Sequence, residues 1–215
     1  MDDIDSDPML SEMQARVLGS LMEKQMTTPD YYPLTLNALL AACNQKSSRN
    51  PVMNLTQQQV GSVISELRHE GLITANSLSR ADRYEQFLSR KLKLSVKERA
   101  IICVMLLRGA HTLNEIKVNT SRMAEFSDHD EIQKTLQWLM DRDKPLVLKI
   151  PKAPGQREDR YTPLLCGTPA LEAQPGKTSA PIVGPMPNDT IERISRLEET
   201  VERLEAEIRL LKERC

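Results

Sequence analysis

Basic and amide side chains precede and open one polar helix of this sequence, and together they could bind nucleic acid. Lys46 and Arg49 lie in the polar run 44–50, where cationic side chains can contact phosphates. Gln57 and Gln58 follow, and a glutamine side chain can pair with adenine in the major groove. The same glutamines are also typical of an ordinary solvated helix, because glutamine is a good helix former. The sequence leaves both interpretations open.

A repeated motif supplies more cations. The pattern Arg-x-Asp-Arg-Tyr occurs at 80–84 and again at 157–161, which is 77 residues later. Its basic residues, with a lysine before the second copy, are further candidate nucleic-acid contacts: Arg80, Arg83, Lys152, Arg157 and Arg160. The alternative is structural. In that case each aspartate pairs with a neighbouring arginine, while Tyr84 and Tyr161 pack into a sheet.

The sequence contains no arrangement typical of catalysis or of metal binding. The three histidines have no partner at His-x-x-x-His spacing, and there is no glycine-rich phosphate loop. The four cysteines include no Cys-x-x-Cys pair, which argues against a zinc site or a disulfide framework. We therefore predict a protein that is not an enzyme and that uses no metal or cofactor.

Composition restricts the fold class and the location. Aromatic residues make up 3% of the 215 residues, so Leu, Ile, Val and Met must form the core, which favours helices. No apolar run approaches the roughly 18 residues of a membrane span, and the acidic beginning is unlike a secretory signal, so we expect a cytoplasmic protein without membrane contact. The net charge is −1, yet residues 13–188 carry 23 basic and 17 acidic side chains, which permits nucleic-acid contact.

The elements that must position these residues are predicted to occur twice. In the first copy, capping boxes at Ser11 and Thr56 begin two helices. A shorter helix is predicted over 34–42, and two strands over 72–74 and 83–87. A glycine at position 71 stops the third helix.

The second copy is predicted to repeat this order. A capping box of Ser95 with Glu98 begins its first helix, and the other two helices begin at Thr112 and Ser127. Its hairpin joins 146–150 to 160–164. An offset of 84 residues aligns Thr112 with Thr28. Three helices followed by a hairpin form the winged-helix variant of the helix-turn-helix. The predicted fold class is therefore mainly α with small β wings (α+β).

Composition also divides the chain. The predicted organisation is an acidic disordered N-terminus at 1–8, winged-helix domains at 9–90 and 91–166, a Pro/Gly-rich linker at 167–188 and a coiled coil at 189–215. The coiled coil is predicted from apolar residues that are spaced alternately by three and four, as at the a and d positions of a heptad repeat. These residues, with a cysteine at the last a position, are Ile194, Leu197, Val201, Leu204, Ile208, Leu211 and Cys215. β-Branched residues at a and leucine at d favour a parallel homodimer. The alternative is a single helix that folds back onto a domain.

Several short motifs are specific enough to indicate a family. They are Glu23-Lys24-Gln25, Tyr32-Pro33-Leu34, Arg49-Asn50-Pro51-Val52-Met53, Leu106-Leu107-Arg108-Gly109 and Pro154-Gly155-Gln156-Arg157-Glu158. Through them the chain resembles the YceH-like family of bacterial proteins over about residues 9–166. The resemblance implies a tandem winged-helix fold, and it does not point to any particular activity.

Two functions fit these features. The first is a dimeric protein that binds duplex DNA, as a transcriptional or nucleoid-associated regulator, because winged helices and their dimers read DNA in this way. The second is a protein-interaction or scaffold module, because the winged helix serves both uses. The basic wings favour the first function. The near-neutral total charge and an acidic third helix in the second copy favour the other.

Overall fold

The computed structural model describes residues 9–76, 81–152 and 155–167, together with residue 203. The chain divides into two compact units, Met1–Leu171 and Glu172–Cys215. The predicted N-terminal segment 1–8, nearly all of the predicted linker and every residue of the predicted coiled-coil seam lie outside the described residues.

The described chain is mainly helical and has two small antiparallel sheets, which confirms the α+β class. The first repeat contains α1 (Glu12–Thr27), a 3₁₀ turn (Pro29–Tyr31), β1 (Leu34–Thr35), α2 (Leu36–Cys43), α3 (Gln57–His69), β2 (Ile73–Asn76) and β3 (Arg83–Gln86). A short helix and the second repeat follow as α4 (Leu88–Lys91), α5 (Val96–Arg108), α6 (Leu113–Thr120), α7 (His129–Met140), β4 (Val147–Ile150) and β5 (Arg160–Pro163). None of the described helices is long and apolar enough to span a membrane.

Helix beginnings follow the sequence closely. The capping boxes predicted at Ser11, Thr56 and Ser95 are all present, and Thr112 forms a fourth. The N-cap of α7 was predicted at Ser127, and this prediction is wrong by one residue, since the carboxylate of Asp128 accepts the Glu131 backbone N–H at 2.8 Å. An ionised carboxylate is the stronger acceptor for this N–H.

The predicted helix over 34–42 begins too early. Leu34 and Thr35 form β1, and α2 begins at Leu36. Thr35 is the N-cap of α2 and must stay extended, so the backbone before it is free to pair as a strand. Pairing of Leu34 with Tyr84 then makes a three-stranded sheet with the order β1-β3-β2 instead of a simple hairpin.

The two sheets correct the alignment of the repeats. In the second repeat His111 and Tyr161 bond to each other through both backbone groups, at 2.8 and 2.9 Å, as the second repeat's counterpart of β1. Leu34 pairs with Tyr84 as His111 pairs with Tyr161. The next residue after Leu34 is Thr35 and the next after His111 is Thr112, and each is the N-cap of the following helix. The equivalent of Thr112 is therefore Thr35, and the predicted match with Thr28 is wrong, because Thr28 ends α1.

The two repeats share one apolar core, in which α1 lies along α5. On one side of α5, Ile101 and Val104 are buried. Ile102 and Met105 on its other side are buried as well, because α5 is covered from both sides. Cys103 is buried and donates its thiol hydrogen to the Gly19 carbonyl of α1, at an Sγ–O distance of 3.4 Å. The domain boundaries at 90 and 166 remain predictions.

Candidate nucleic-acid interface

Helix α3 presents the glutamines that the sequence identified. Gln57 and Gln58 are exposed, and within the described part of the chain neither side chain has a hydrogen-bond partner. Gln59 instead accepts the Thr56 backbone N–H at 2.8 Å and completes the capping box. The local sequence thus fixes where α3 begins and leaves two amides free at its first turn.

The two carboxylates near the end of α3 lie at one edge of its exposed side. The Gln14 amide of α1 donates to Glu66 at 3.3 Å and to Glu70 at 3.5 Å. At about 100° per residue, the rest of the exposed side runs through Gln57, Gly61, Ser65 and Arg68. This part of α3 is fully described and carries no carboxylate.

Gly61 lies on this exposed side of α3, and the fold does not require a glycine there for steric reasons. A Cβ atom added to it would meet nothing within 4 Å. Glycine in the middle of a helix costs about 1 kcal/mol relative to alanine. The backbone of α3 is therefore open to close approach by another molecule at this position. Gly61 was not identified from the sequence, because only the packed structure shows that no other part of the fold fills the space beside it.

The loop between α2 and α3 is braced against the helices around it. The Asn44 side chain accepts the Leu55 N–H and donates to the Leu55 carbonyl, both at 2.8 Å, which closes the loop. Arg16 of α1, which is 2% exposed, donates to the carbonyls of Cys43 and Pro51. Burial lowers the pKa of Arg16, and the nearby charge of Arg49 adds to this effect.

Arg49 does not belong to the exposed surface on which the sequence placed it. Its guanidinium is fully buried and donates to both carboxylate oxygens of Glu23, at 3.2 and 2.6 Å. It also donates to the carbonyls of Ala42 and Ser48, at 3.1 and 2.8 Å. A phosphate could reach Arg49 only if this network opened, so we withdraw it as a candidate contact. Lys46, three residues earlier, is exposed.

The repeated arginines have unlike surroundings. Arg83 is exposed and donates to the Pro33 carbonyl at 3.0 Å. Arg160 is half-buried and donates to both carboxylate oxygens of Glu115, at 3.3 and 3.4 Å. Arg80 lies outside the described residues. The side chains of Lys152 and Arg157 are exposed at a shallow cavity of about 390 Å³ beside α6 and α7.

The structural alternative for the motif is confirmed only in part. Tyr161 is buried and Tyr84 packs against the core, as that alternative predicted. Asp159, however, pairs with Lys149 at 2.9 Å and not with an arginine. The reason is strand register, because Lys149 lies opposite Tyr161 on β4 and next to the aspartate. Hydrogen bonding to Lys149 lowers the pKa of Asp159.

Burial favours the neutral forms of two thiols and one imidazole in the interior. Burial raises the pKa of the Cys43 and Cys103 thiols. Burial lowers the pKa of His111, whose Nδ1 lies 2.8 Å from the Gly109 carbonyl oxygen. Among the described residues, no three His, Cys, Asp or Glu side chains are grouped so that they could hold a metal ion.

Comparison with known proteins places the chain in a family. Residues 10–156 match the family described as "Protein of unknown function, DUF480". The chain is 48% identical over 172 residues to a UPF0502 protein of Cellvibrio japonicus, covering 80% of this chain and 79% of the relative. It is 44% identical over 202 residues to UPF0502 protein mll4256 of Mesorhizobium japonicum, covering 94% of this chain and 95% of the relative.

A third relative, a UPF0502 protein of Paraburkholderia phymatum, is 42% identical over 201 residues, which cover 92% of this chain and 85% of that protein. These matches confirm the resemblance to the YceH-like family. The chain therefore belongs to the UPF0502 (DUF480) family of bacterial proteins.

Proposed function

We propose that the protein is a cytoplasmic, non-enzymatic DNA-binding protein, a transcriptional or nucleoid-associated regulator made of two winged-helix repeats. The order α1, β1, α2, α3, β2, β3 of the first repeat supports this proposal, because it is typical of the winged helix. In that arrangement the third helix enters the major groove, and the hairpin contacts the flanking backbone. The corresponding helix here is α3.

The observation that carries the proposal is the exposed side of α3. It combines free amides at Gln57 and Gln58, an open backbone at Gly61 and a cation at Arg68. Amides can pair with adenine edges, and the part of α3 that runs through Gln57, Gly61 and Arg68 carries no carboxylate that would repel phosphates. Lys46 is an exposed cation two residues after Asn44, whose side chain bonds Leu55 just before α3.

Replacing Gly61 with glutamate is expected to weaken duplex binding at least about ten-fold, because a carboxylate would face the phosphate-lined groove. The fold has room for the new side chain. The matched control is Gln133→Glu, which places a carboxylate at the same, fifth position of α7 on an exposed residue. The measurement is fluorescence anisotropy with random duplex DNA across a salt series.

The control separates a specific contact from a general effect of charge. If Gln133→Glu weakens binding as much as Gly61→Glu does, then α3 is not the reading helix. If the unmodified protein does not bind duplex DNA even at about 50 mM salt, the proposal fails and the interaction function below replaces it.

We further propose that residues 189–215 form a parallel coiled-coil homodimer. The Cys215 side chains of the two chains then face each other at the a position that follows Ile208. Mild oxidation is then expected to give a disulfide-linked dimer on non-reducing gels. Cys215→Ser should abolish this product. Cys166→Ser is the control and should leave it unchanged, since Cys166 is an exposed thiol outside the seam. A monomer by light scattering would refute the dimer, and a dimer that does not cross-link would be antiparallel.

The second candidate function, protein interaction, is favoured by one observation on α7. Trp138, the one tryptophan of the sequence, is 66% exposed on that helix. Tryptophan is enriched at the centres of protein interfaces. The acidic first turn of α7, with Asp130 and Glu131, would also repel a phosphate backbone. The two functions can coexist if the first repeat binds DNA and the second binds protein.

A further inference from the structure

A groove of about 580 Å³ lies between the first repeat and helices α5 and α6 of the second. Its walls are the end of α1, the loop residues 45–48, the end of α5 and residues 118–123. Four basic side chains line it, against the single carboxylate of Glu23: Lys24, Lys46, Arg108 and Arg122. In a chain of net charge −1, this is a local concentration of positive charge.

Most of this charge is not neutralised within the described part of the protein. Both oxygens of Glu23 are bonded to the buried Arg49, and Lys24 approaches this carboxylate only at 3.7 Å. Lys46 and Arg122 are exposed and have no hydrogen-bond or ion-pair partner among the described residues. The remaining cation, Arg108, donates to the neutral amide of Asn119 at 2.7 Å.

Cations near helix C-termini often serve to compensate the exposed carbonyls of the last turn. At this groove other groups already do so. Asn50 donates to the Leu107 carbonyl at 2.9 Å from its backbone and to the Arg108 carbonyl at 3.4 Å from its side chain, and Arg49 donates to the carbonyl of Ala42. The carbonyls at the ends of α2 and α5 therefore do not need the cations of the groove.

The groove also has an apolar side. Val104 and Leu107 form part of its floor, Met123 is half-buried beside them, and Val118 is 63% exposed on α6. Exposure of the Val118 side chain to water is unfavourable, and a ligand with an apolar part would cover this side chain on binding. The site therefore combines anion recognition with a surface for a less polar group.

We propose that this groove binds a small molecule in which two or more phosphoryl groups are joined to a less polar body, as in a nucleoside diphosphate. Two phosphoryl groups are needed because the unneutralised cations come from three segments: the loop after α2, the end of α5 and the turn after α6. Arginine favours such ligands because its planar guanidinium binds two phosphate oxygens at once. Ser47 and Ser48 supply hydroxyl donors on the loop side. This inference does not depend on DNA binding.

The test is calorimetric titration of the full-length protein with adenosine 5′-diphosphate, inorganic pyrophosphate and adenosine. We expect saturable binding of the first two, with the diphosphate tighter, and none of adenosine. Arg108→Gln and Arg122→Gln are each expected to weaken diphosphate binding at least about ten-fold, since each removes a charge-assisted hydrogen bond. Arg122 makes no hydrogen bond or ion pair with the described residues, so its variant should fold even if Arg108→Gln does not.

Two controls make the outcome decisive. Lys134→Gln removes an exposed cation from α7, outside the groove, and should leave binding unchanged. Gly61→Glu should also bind the diphosphate normally, which separates this site from the DNA interface. Absence of binding by either phosphate compound up to about 1 mM, or equal losses in Arg122→Gln and Lys134→Gln, would overturn the proposal. Equal affinity for pyrophosphate and the diphosphate would overturn the role of the apolar side.

Discussion

Replacing Arg49 with alanine is expected to lower the free energy of unfolding by about 3–5 kcal/mol, because it leaves Glu23 without its partner in a mostly buried position. The side chains of Arg49 and Glu23 are 0% and 13% exposed. The substitution also removes the donors to the carbonyls of Ala42 and Ser48, and the Ala42 carbonyl is a buried acceptor that loses this bond. Urea unfolding followed by circular dichroism measures the change.

A second arginine–glutamate pair provides the control. Arg160 and Glu115 form the same kind of bidentate contact, but their side chains are 41% and 43% exposed. Arg160→Ala is therefore expected to cost less than about 1 kcal/mol. Equal costs for the two variants would show that burial does not decide the strength of the pair. Any loss of DNA binding in Arg49→Ala should follow the unfolded fraction of that variant, since Arg49 is not a phosphate contact in our proposal.

Leucine in place of glycine at position 19 is expected to destabilise the protein by about 3 kcal/mol or more, because it forces α1 away from α5. A Cβ atom at Gly19 would already lie 2.9 Å from Cγ and Cδ2 of Leu107 and 3.3 Å from Cβ of Leu106. Both leucines belong to the core that the two repeats share. The rest of a leucine side chain has no space there.

Gly61→Leu is the matched substitution, since Gly61 also lies inside a helix but has nothing within 4 Å of its Cβ position. It should raise stability by up to about 1 kcal/mol through helix propensity. Thermal unfolding of both variants tests the pair. If Gly19→Leu is no less stable than the natural protein, the close approach of α1 and α5 is not required. Combining Gly19→Leu with Leu107→Ala should cost less than the sum of the two single changes, because the two side chains compete for one space.

Prediction from the sequence succeeded where the signal is local. The caps at Ser11, Thr56 and Ser95 were found because a capping box needs only two residues three positions apart. The end of α3 at Gly71 was predicted because glycine commonly follows the last residues of a helix. The φ of +67° at Gly71 is a conformation that favours glycine. The error at Leu34 was long-range, since that residue is extended through its pairing with Tyr84, fifty positions away.

For the candidate site, the sequence identified residue types but could not assign their surroundings. Lys46 and Arg49 look equivalent in a polar loop, yet one is exposed and the other is the centre of a buried network. Arg49 is buried because it pairs with Glu23, which lies on α1 and is distant from the loop in the sequence. Arg108 and Arg122 were not singled out, because their proximity to Lys46 exists only after the repeats pack together.

Neighbouring residues were enough to predict most helix beginnings, the repeated order of the elements and the family, because caps, helical periodicity and short motifs are local. The packing of the helices determines which cations face solvent, which arginines bond within the interior and where a groove opens between the repeats. Those outcomes depend on contacts such as the one between Gly19 and Leu107, which join distant parts of the chain. The free energy of a charge depends on its burial and its partners, and both are set only when helices pack.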